Sequence, residues 1–264
     1  HAQRSSQPPV ARAPIPVAEG AVVTAPRWAA LTRTELQLTS RQGEQLLVNV
    51  AIPLGILVFF TLVDVMPTGD GDPVDFLTPS TMALAVMSSS LVALGISTGF
   101  DRQYGVLKRL GATSLGRGGL VAGKITAIGV VEVVQLLLLA GVGLALGWSP
   151  GGQPWLAPIA FVLGTAAFGG LGLLLAGTLR GTVVLAAANA AYLVLLAFGG
   201  MAFRLDELPD SARAIAELFP AAALSEVVRW TLTDGLDTPT KAWIVLAVWA
   251  VAMPLAAARF FRWD

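Results

Sequence analysis

The chain has 264 residues, of which 55% are hydrophobic and 13% are charged, and its 17 basic residues equal its 17 acidic residues in number. Soluble domains carry about a quarter charged residues, so this composition, with a mean hydropathy of +0.72, excludes an ordinary soluble domain and indicates a chain surrounded largely by lipid. Zero net charge gives no overall attraction to nucleic acid, and the absence of cysteine excludes disulfides and thiolate sites. With His1 as the one histidine, we expect no catalytic residue, no metal site and no nucleic-acid partner.

The first 26 residues contain five prolines and no apolar run. We predict a disordered N-terminal tail over residues 1–26 and one transmembrane domain over residues 27–264. Residues 28–47 place Trp28, Leu31, Leu36 and Leu38 on one broad helical face, which predicts an interfacial helix lying along the membrane surface. An ordinary juxtamembrane linker is the alternative.

Six apolar runs are long enough to cross a bilayer, because about 20 apolar residues in a helix span the roughly 30 Å hydrocarbon core. These runs do not alternate every second residue, as strands of a lipid-facing barrel would. The fold class is therefore predicted as all-α, a polytopic helical bundle. The predicted spans are residues 46–65, 77–98, 125–146, 155–179, 182–203 and 242–258.

The orientation follows from lysine and arginine, because positively charged loops stay cytoplasmic. If the N-terminus is placed inside, 13 of the 17 basic residues fall on the inner side. With six spans, both termini are then predicted to be cytoplasmic.

The predicted inner loop, residues 100–124, is amphipathic in its first half. Its apolar face and its charged face predict a short helix that lies on lipid headgroups or on a partner protein, and the pattern leaves the two open. The apolar face holds Phe100, Tyr104, Leu107 and Leu110; the charged face holds Asp101, Arg102, Lys108 and Arg109.

The end of this loop is a near match to a phosphate-binding loop, with Gly118 followed by Gly123 and Lys124. Ile125 stands where such a loop needs Ser or Thr for magnesium, and a span follows directly. We therefore expect no ATP bound by this chain, and we interpret Lys124 as the cytoplasmic end of the third span.

Two of the outer segments carry charged residues. Residues 66–76 carry several aspartates without the spacing of a calcium loop, so we predict a solvated loop. Residues 204–241 alternate charged and apolar stretches, which predicts short helices dipping into the outer interface.

One acidic residue, Glu132, lies well inside a span, and Gln135 shares its side of the helix. An acid at membrane depth must face protein or water. A proton relay or substrate contact is one interpretation; a protonated or hydrogen-bonded carboxyl between helices is the other, slightly favoured one. Ser88, Ser89, Ser90 and Asn189 are predicted to form interhelical hydrogen bonds, and the fourth-span glycines to permit close helix approach.

Two local motifs occur in this arrangement of spans. The first runs from Asp101-Arg102-Gln103-Tyr104-Gly105-Val106-Leu107-Lys108-Arg109-Leu110 to Gly123-Lys124, and the second comprises Leu208-Pro209, Phe219-Pro220 and Arg229. With six spans and an amphipathic helix before the first, this constellation resembles the ABC-2 family of transporter permeases, such as daunorubicin-resistance permeases. Asp101 stands where the family pattern has Glu, and Gln103 replaces its second acid.

The resemblance implies a non-enzymatic membrane subunit that exports drugs, lipids or glycans across a bacterial plasma membrane. It implies a dimer with a second permease copy or paralogue, contact with membrane lipids, and a separate ABC-type ATP-binding subunit that carries ATP and Mg, with no cofactor on this chain. The residues it assigns to ATPase coupling are Asp101, Arg102, Gln103, Tyr104, Gly105, Leu107, Lys108 and Arg109.

The resemblance also implies a substrate path at the interface of the two permeases, along the first, second and fifth spans. Asn49, Ser88 and Asn189 are the polar candidates there, with Glu132 and Gln135 as further polar residues at membrane depth. The main alternative is a proton-coupled secondary transporter that uses Glu132. A scaffold subunit without transport is a third possibility.

Overall fold

The computed structural model describes residues 27–41, 43–63, 72–111, 115–201, 205 and 209–262. Within these ranges the regular elements are helices, which confirms the predicted all-α fold. The predicted tail, residues 64–71 of the acidic loop and Leu208 of the second motif lie outside the described residues. In chain order the helices are α1 (Arg27–Arg41), α2 (Gly43–Val63), α3 (Pro73–Met87), a π-helical segment (Ser88–Ala93), α4 (Leu94–Gln103), α5 (Val106–Gly111), α6 (Gly116–Ala145), α7 (Ala157–Thr178), α8 (Gly181–Phe198), α9 (Asp210–Ala216), α10 (Pro220–Leu232) and α11 (Thr240–Phe260).

Five of the described helices are long and apolar enough to cross a membrane, which makes the chain a multi-pass membrane protein. They match the predicted second to sixth spans, while Asn49–Val63 of α2 is a shorter apolar helix. The first span and the orientation of the termini stay predictions. The five long helices are Pro73–Gln103, Gly116–Ala145, Pro154–Thr178, Gly181–Phe198 and Thr240–Phe260.

The centre of the bundle is α7, which contacts α3, the π segment, α4, α6, α8, α10 and α11. Its glycines allow this crowding. A Cβ added at Gly170 would lie 2.5 Å from the backbone nitrogen of Pro254, and one at Gly172 would lie 2.8 Å from the carbonyl oxygen of Leu91. The predicted close approach of helices at these glycines is confirmed.

The helical stretch from Pro73 to Gln103 is uninterrupted, but its winding changes along its length. Its middle, Ser88–Ala93, is π-helical, so one extra residue fits into a turn and the side chains beyond it are rotated relative to an uninterrupted α-helix. This segment packs between α6 and α7.

Two predicted boundaries are corrected. The helix of the third predicted span begins at Gly116 rather than near residue 125, because Leu120 and Val121 are buried and stabilise a helical turn that the surrounding glycines alone would not favour. The helix of the fifth predicted span ends at Phe198 rather than near residue 203, since Gly200 adopts a φ of 65° in the turn that follows.

The outer connection also differs from the prediction. It does contain two short helices, but α10 does not simply rest at an interface. Its small residues Ala221, Ala222 and Ala223 are buried, and the helix packs against α3, α7 and α11. Small side chains let a short helix enter the core, a property that the alternating pattern did not indicate.

The predicted interfacial helix over residues 28–47 is divided, with α1 ending at Arg41 and α2 starting at Gly43. The buried side of α1 holds Leu31 and Thr32, whereas Trp28 and Leu38 are exposed, so the predicted apolar face is only partly correct. The Thr32 hydroxyl lies 3.1 Å from the carbonyl oxygen of Gly123, and α1 lies along the first turns of α6.

Candidate functional site

The segment assigned to ATPase coupling is a corner between two helices rather than one amphipathic helix. α4 ends at Gln103, and Gly105 has a φ of 74° with open space where a Cβ would be. The backbone conformation, not crowding, therefore favours glycine here. The predicted common face of Phe100, Tyr104, Leu107 and Leu110 is broken at this corner.

The two sides of the corner have opposite environments. The Tyr104 side chain is 73% exposed and its ring stacks on Phe100 with the centroids 6.2 Å apart. Leu107 is fully buried in a cluster with Leu31, Leu120 and Phe261. One apolar residue of the corner thus anchors it, and another projects outward.

The corner is fixed to the bundle by a buried ion triad, which we call the Lys124 centre. The Lys124 ammonium lies 2.8 Å from Glu35 Oε1 and 2.9 Å from Asp101 Oδ2. Its side chain is 1% exposed, against 22% for Glu35 and 35% for Asp101. Lys124 lies inside α6 and joins three helices, α1, α4 and α6; its predicted place at the cytoplasmic end of the third span stays a prediction.

Arg102 provides a second anchor. Its Nη1 donates hydrogen bonds to the carbonyl oxygens of Ala176, at 3.1 Å, and Leu179, at 3.0 Å. Both acceptors lie at the end of α7. The last turn of α4 is therefore bonded to α6 through Asp101 and to α7 through Arg102, and Lys124 links it onward to Glu35 on α1.

The remaining side chains of the corner are exposed and form what we call the outward face. It combines an aromatic ring, an aliphatic side chain, an amide and two cations. Its members are Gln103, Tyr104, Val106, Lys108 and Arg109.

A second group of polar residues, which we call the polar cluster, lies within the bundle and consists of Glu132, Gln135, Ser89, Ser90 and Thr165. The Glu132 carboxyl is 2% exposed. The Ser90 hydroxyl lies 2.5 Å from Glu132 Oε1, and the Thr165 hydroxyl contacts Glu132 Oε2. These contacts connect α6 to the π segment and to α7.

Gln135 extends the polar cluster by one turn of α6. Its Oε1 accepts a hydrogen bond from Ser89 at 3.0 Å, and its Nε2 donates to the backbone carbonyl of Asn49 at 2.7 Å. Asn49 therefore belongs to the polar cluster through its backbone carbonyl. The cluster links α2, the π segment, α6 and α7.

Two other predicted polar residues bond within their own helices. The Ser88 hydroxyl donates to the carbonyl oxygen of Ala85 at 3.0 Å, and the Asn189 amide donates to that of Leu185 at 2.8 Å. Ser89 and Ser90 form the interhelical bonds that were also predicted for Ser88. Asn189 is exposed on α8, so its predicted interhelical bond is not formed within one chain.

Sequence reasoning did not single out Glu35 and Thr165. Glu35 lies three residues after Thr32 on the buried side of α1, a spacing that could have indicated it. Thr165 is a polar residue in an otherwise small and apolar segment, and a search for isolated hydroxyls at the depth of Glu132 could have found it.

At the opposite end of the bundle, Glu217 accepts hydrogen bonds from Lys241 at 2.7 Å and from Arg213 at 3.0 Å. The hydrogen bond from Lys241 is the main cause of the lowered pKa of Glu217. Nearby on α10, burial raises the pKa of Glu226. The Arg229 guanidinium lies 5.2 Å from the centre of the Phe76 ring, so the second motif contributes to packing between α10 and α3.

The model of the family described as ABC-2 type transporter matches residues 26–233, well over half of the chain. No curated protein matches the chain at a significant level.

Proposed function

The chain belongs to the ABC-2 type transporter family, and we propose that it is the permease subunit of an ATP-binding cassette transporter. In this proposal it exports a hydrophobic or amphipathic substrate, such as a drug, lipid or glycan, across the plasma membrane. A separate ATPase subunit binds ATP and Mg and supplies the energy.

The observation that carries the proposal is the division of the corner into anchored and exposed residues. Asp101, Arg102 and Leu107 hold it to α1, α6 and α7, whereas the outward face is available to a partner. A docking element needs both properties, because a push on a loosely held loop would not reach the membrane helices. The geometry supports transmission of a push from the outward face to the ends of α6 and α7.

The outward face also indicates the chemistry of the partner. Lys108 and Arg109 are exposed cations next to an exposed tyrosine ring. Aromatic and arginine side chains are enriched at protein interfaces, and exposed charges guide association. We propose that the ATPase subunit presents an acidic rim around an apolar pocket that receives Tyr104.

A second permease copy is part of the proposal. Asn189 projects from α8 with its amide bonded to its own backbone and its side chain exposed. A polar side chain facing lipid is unfavourable, so a second permease packed against this face would remove Asn189 from lipid. This fits the substrate path expected at the dimer interface.

We also propose a bacterial plasma membrane location with both termini cytoplasmic. The support is the placement of 13 of the 17 basic residues on one side of the predicted spans. In that orientation the outward face and the Lys124 centre lie on the cytoplasmic side, where ATP is available.

The test is reconstitution of the full chain with its cognate ATPase subunit in liposomes. The double variant Lys108→Glu, Arg109→Glu should weaken copurification of the ATPase subunit by about tenfold or more, because it inverts the charge of the outward face. The rate of ATP hydrolysis in the liposomes should fall in parallel. The permease itself should stay folded, since neither side chain is part of the anchors.

Arg33→Glu is the matched control, because Arg33 is an exposed cation on α1 outside the outward face. It should leave copurification and ATP hydrolysis unchanged. If the double variant binds the ATPase subunit as wild type does, the outward face is not the docking surface. Transport that persists without the ATPase subunit and ATP would favour a proton-coupled carrier instead.

A further inference from the structure

Counting the donors and acceptors in the hydrogen bonds around Glu132 indicates whether its carboxyl group carries a proton. The Thr165 hydroxyl has one proton and two oxygen neighbours, the carbonyl oxygen of Phe161, at 2.8 Å, and Glu132 Oε2. The Phe161 carbonyl can only accept, and a threonine hydroxyl in a helix commonly donates to the carbonyl one turn earlier, so we assign the Thr165 proton to this bond. The contact between Thr165 and Glu132 then needs a proton from the carboxyl group.

The other carboxyl oxygen is consistent with this assignment. Ser90 donates to Glu132 Oε1, which is the role of a carbonyl oxygen in a neutral carboxylic acid. The directions form one continuous chain, from Ser90 to Glu132, from Glu132 to Thr165, and from Thr165 to Phe161. Each hydroxyl proton is used once.

The charges near Glu132 agree with this assignment of the hydrogen-bond donors. Among the described residues, Glu132 forms no ion pair, and the nearest cation along α6, Lys124, already binds Glu35 and Asp101. Eight residues of helix separate Lys124 from Glu132, about 12 Å at 1.5 Å per residue. A buried carboxylate without a cation is strongly unfavourable.

We propose that Glu132 is held as a neutral carboxylic acid and acts as a positioning residue for the π segment. It donates its proton to Thr165 on α7 and accepts one from Ser90 in the π segment. Glu132 thereby fixes the distance between α7 and the π segment of the helix from Pro73 to Gln103. The proposal assigns no proton transport to this residue.

The π segment is confined from the α7 side as well. A Cβ added at Gly172 would lie 2.8 Å from the Leu91 carbonyl oxygen and 2.9 Å from that of Ser90. Backbone contact with α7 and hydrogen bonds from α6 thus hold the same turn. The helix that leaves this turn, α4, ends at Asp101 and Arg102, so the position of the turn determines where the corner sits.

The test uses the purified full chain in detergent micelles and needs no substrate or ATPase subunit. Glu132→Gln keeps an acceptor for Ser90 and a donor for Thr165, so its thermal unfolding midpoint should stay within about 2 °C of wild type. Glu132→Ala, which loses both bonds, should lower the midpoint by about 5 °C or more. Glu132→Asp should fall between them, because its shorter side chain cannot reach both partners.

Infrared spectroscopy supplies a readout that a purely structural role would not affect. The difference spectrum of wild type minus Glu132→Gln at pH 7 should contain the carbonyl stretch of a protonated carboxylic acid, shifted in heavy water. Carboxylate bands in its place would overturn the proposal. So would a Glu132→Gln variant as unstable as Glu132→Ala.

Neighbouring serines give a matched control. Ser90→Ala should lower the unfolding midpoint, whereas Ser88→Ala should not, since the Ser88 hydroxyl bonds to its own helix. Equal effects of both would contradict the role of the π segment. Because these measurements involve neither ATP nor the partner, their failure would leave the proposed permease function standing, and loss of ATPase docking would leave this proposal standing.

Discussion

Helix α6 buries two ionisable side chains two turns apart, and it accommodates them by different means. Lys124 is 1% exposed and has two carboxylates within 2.9 Å. Glu132 is 2% exposed and has hydroxyl groups as its partners. The first centre keeps charges and pairs them; the second replaces charge with a chain of hydrogen bonds.

The difference corresponds to position in the bundle. At the Lys124 centre the partners are partly exposed, so water still solvates the carboxylates of Glu35 and Asp101. Around Glu132 the helices α6, α7 and the π segment meet, and its partners Ser90 and Thr165 are buried as well. Variants at the two centres therefore show how burial changes the contribution of a polar contact to the free energy of unfolding.

The largest expected effect is at the Lys124 centre. Lys124→Met would leave two carboxylates facing each other without a cation, and we expect a loss of about 3 kcal/mol in unfolding free energy, the low end for a broken buried pair. Partial solvation of Glu35 and Asp101 keeps the loss at that end. Reversible unfolding in mixed micelles measures it.

The control for this variant adds Glu35→Gln and Asp101→Asn to Lys124→Met. With no charges left, most of the lost stability should return, because the repulsion between the carboxylates disappears. If Lys124→Met alone is neutral, water screens the triad and the contrast with Glu132 is not one of charge pairing.

An intermediate loss of stability is expected when an alanine methyl replaces a closely packed glycine beside each centre. At Gly172 an added methyl meets fixed backbone oxygens of the π segment at 2.8 and 2.9 Å. At Gly123 its nearest neighbour is the movable end of Leu31, at 2.8 Å, and the backbone oxygen of Trp28 is farther away, at 3.1 Å. We expect Gly172→Ala to lower stability by about 2 kcal/mol and Gly123→Ala by about 1 kcal/mol. The same unfolding measurement compares them.

The order of these two glycine variants is the informative result. A larger loss for Gly123→Ala would mean that the turn beside Glu132 is less rigid than the packing of α1 on α6. The polar cluster would then not be the more tightly confined of the two centres.

The smallest effect is expected at an exposed reference, the two ion pairs that Glu217 forms with Lys241 and Arg213. Glu217→Gln should lower stability at pH 7 by less than about 1 kcal/mol, as is typical of ion pairs in water. The pKa of Glu217 is lowered in the folded protein. Its contribution is therefore present above the ordinary carboxyl pKa near 4.5 and disappears as the pH falls through the folded value.

Unfolding curves of wild type and Glu217→Gln from pH 7 to pH 3 check this sign. The two proteins should converge at the acidic end. A difference that grows on acidification would mean that the pair is not stabilised by the ionised carboxylate, and it could not serve as the exposed reference for the Lys124 centre.

The sequence predicts the long helices well, because the length of an apolar run is a local property that the bilayer sets. Five predicted spans have helices of sufficient length. The Lys124 centre could not be predicted in the same way. Glu35 and Asp101 are distant from Lys124 along the chain, and nothing in the local pattern of any one segment shows that α1 and α4 meet α6.

The serines illustrate a second limit. Ser88, Ser89 and Ser90 are identical in type and adjacent, and helical periodicity with 3.6 residues per turn cannot choose among them once a π turn adds a residue. Ser89 and Ser90 face α6, and Ser88 does not. At the corner, by contrast, Gly105 is a local signal for a positive φ, and attention to it could have predicted the break between α4 and α5.

One consequence of the Arg102 contact concerns the end of α7. The last four carbonyl groups of a helix have no partners within it and carry partial negative charge from the helix dipole. α7 has no basic residue in its own last turn, and Arg102, on another helix, donates to the carbonyl oxygens of Ala176 and Leu179. Part of the C-terminal cap of α7 is thus supplied by another helix, beside the Arg262 amide that donates to the Gly177 carbonyl. Any displacement of α4 must therefore either carry the end of α7 with it or break the two hydrogen bonds from Arg102.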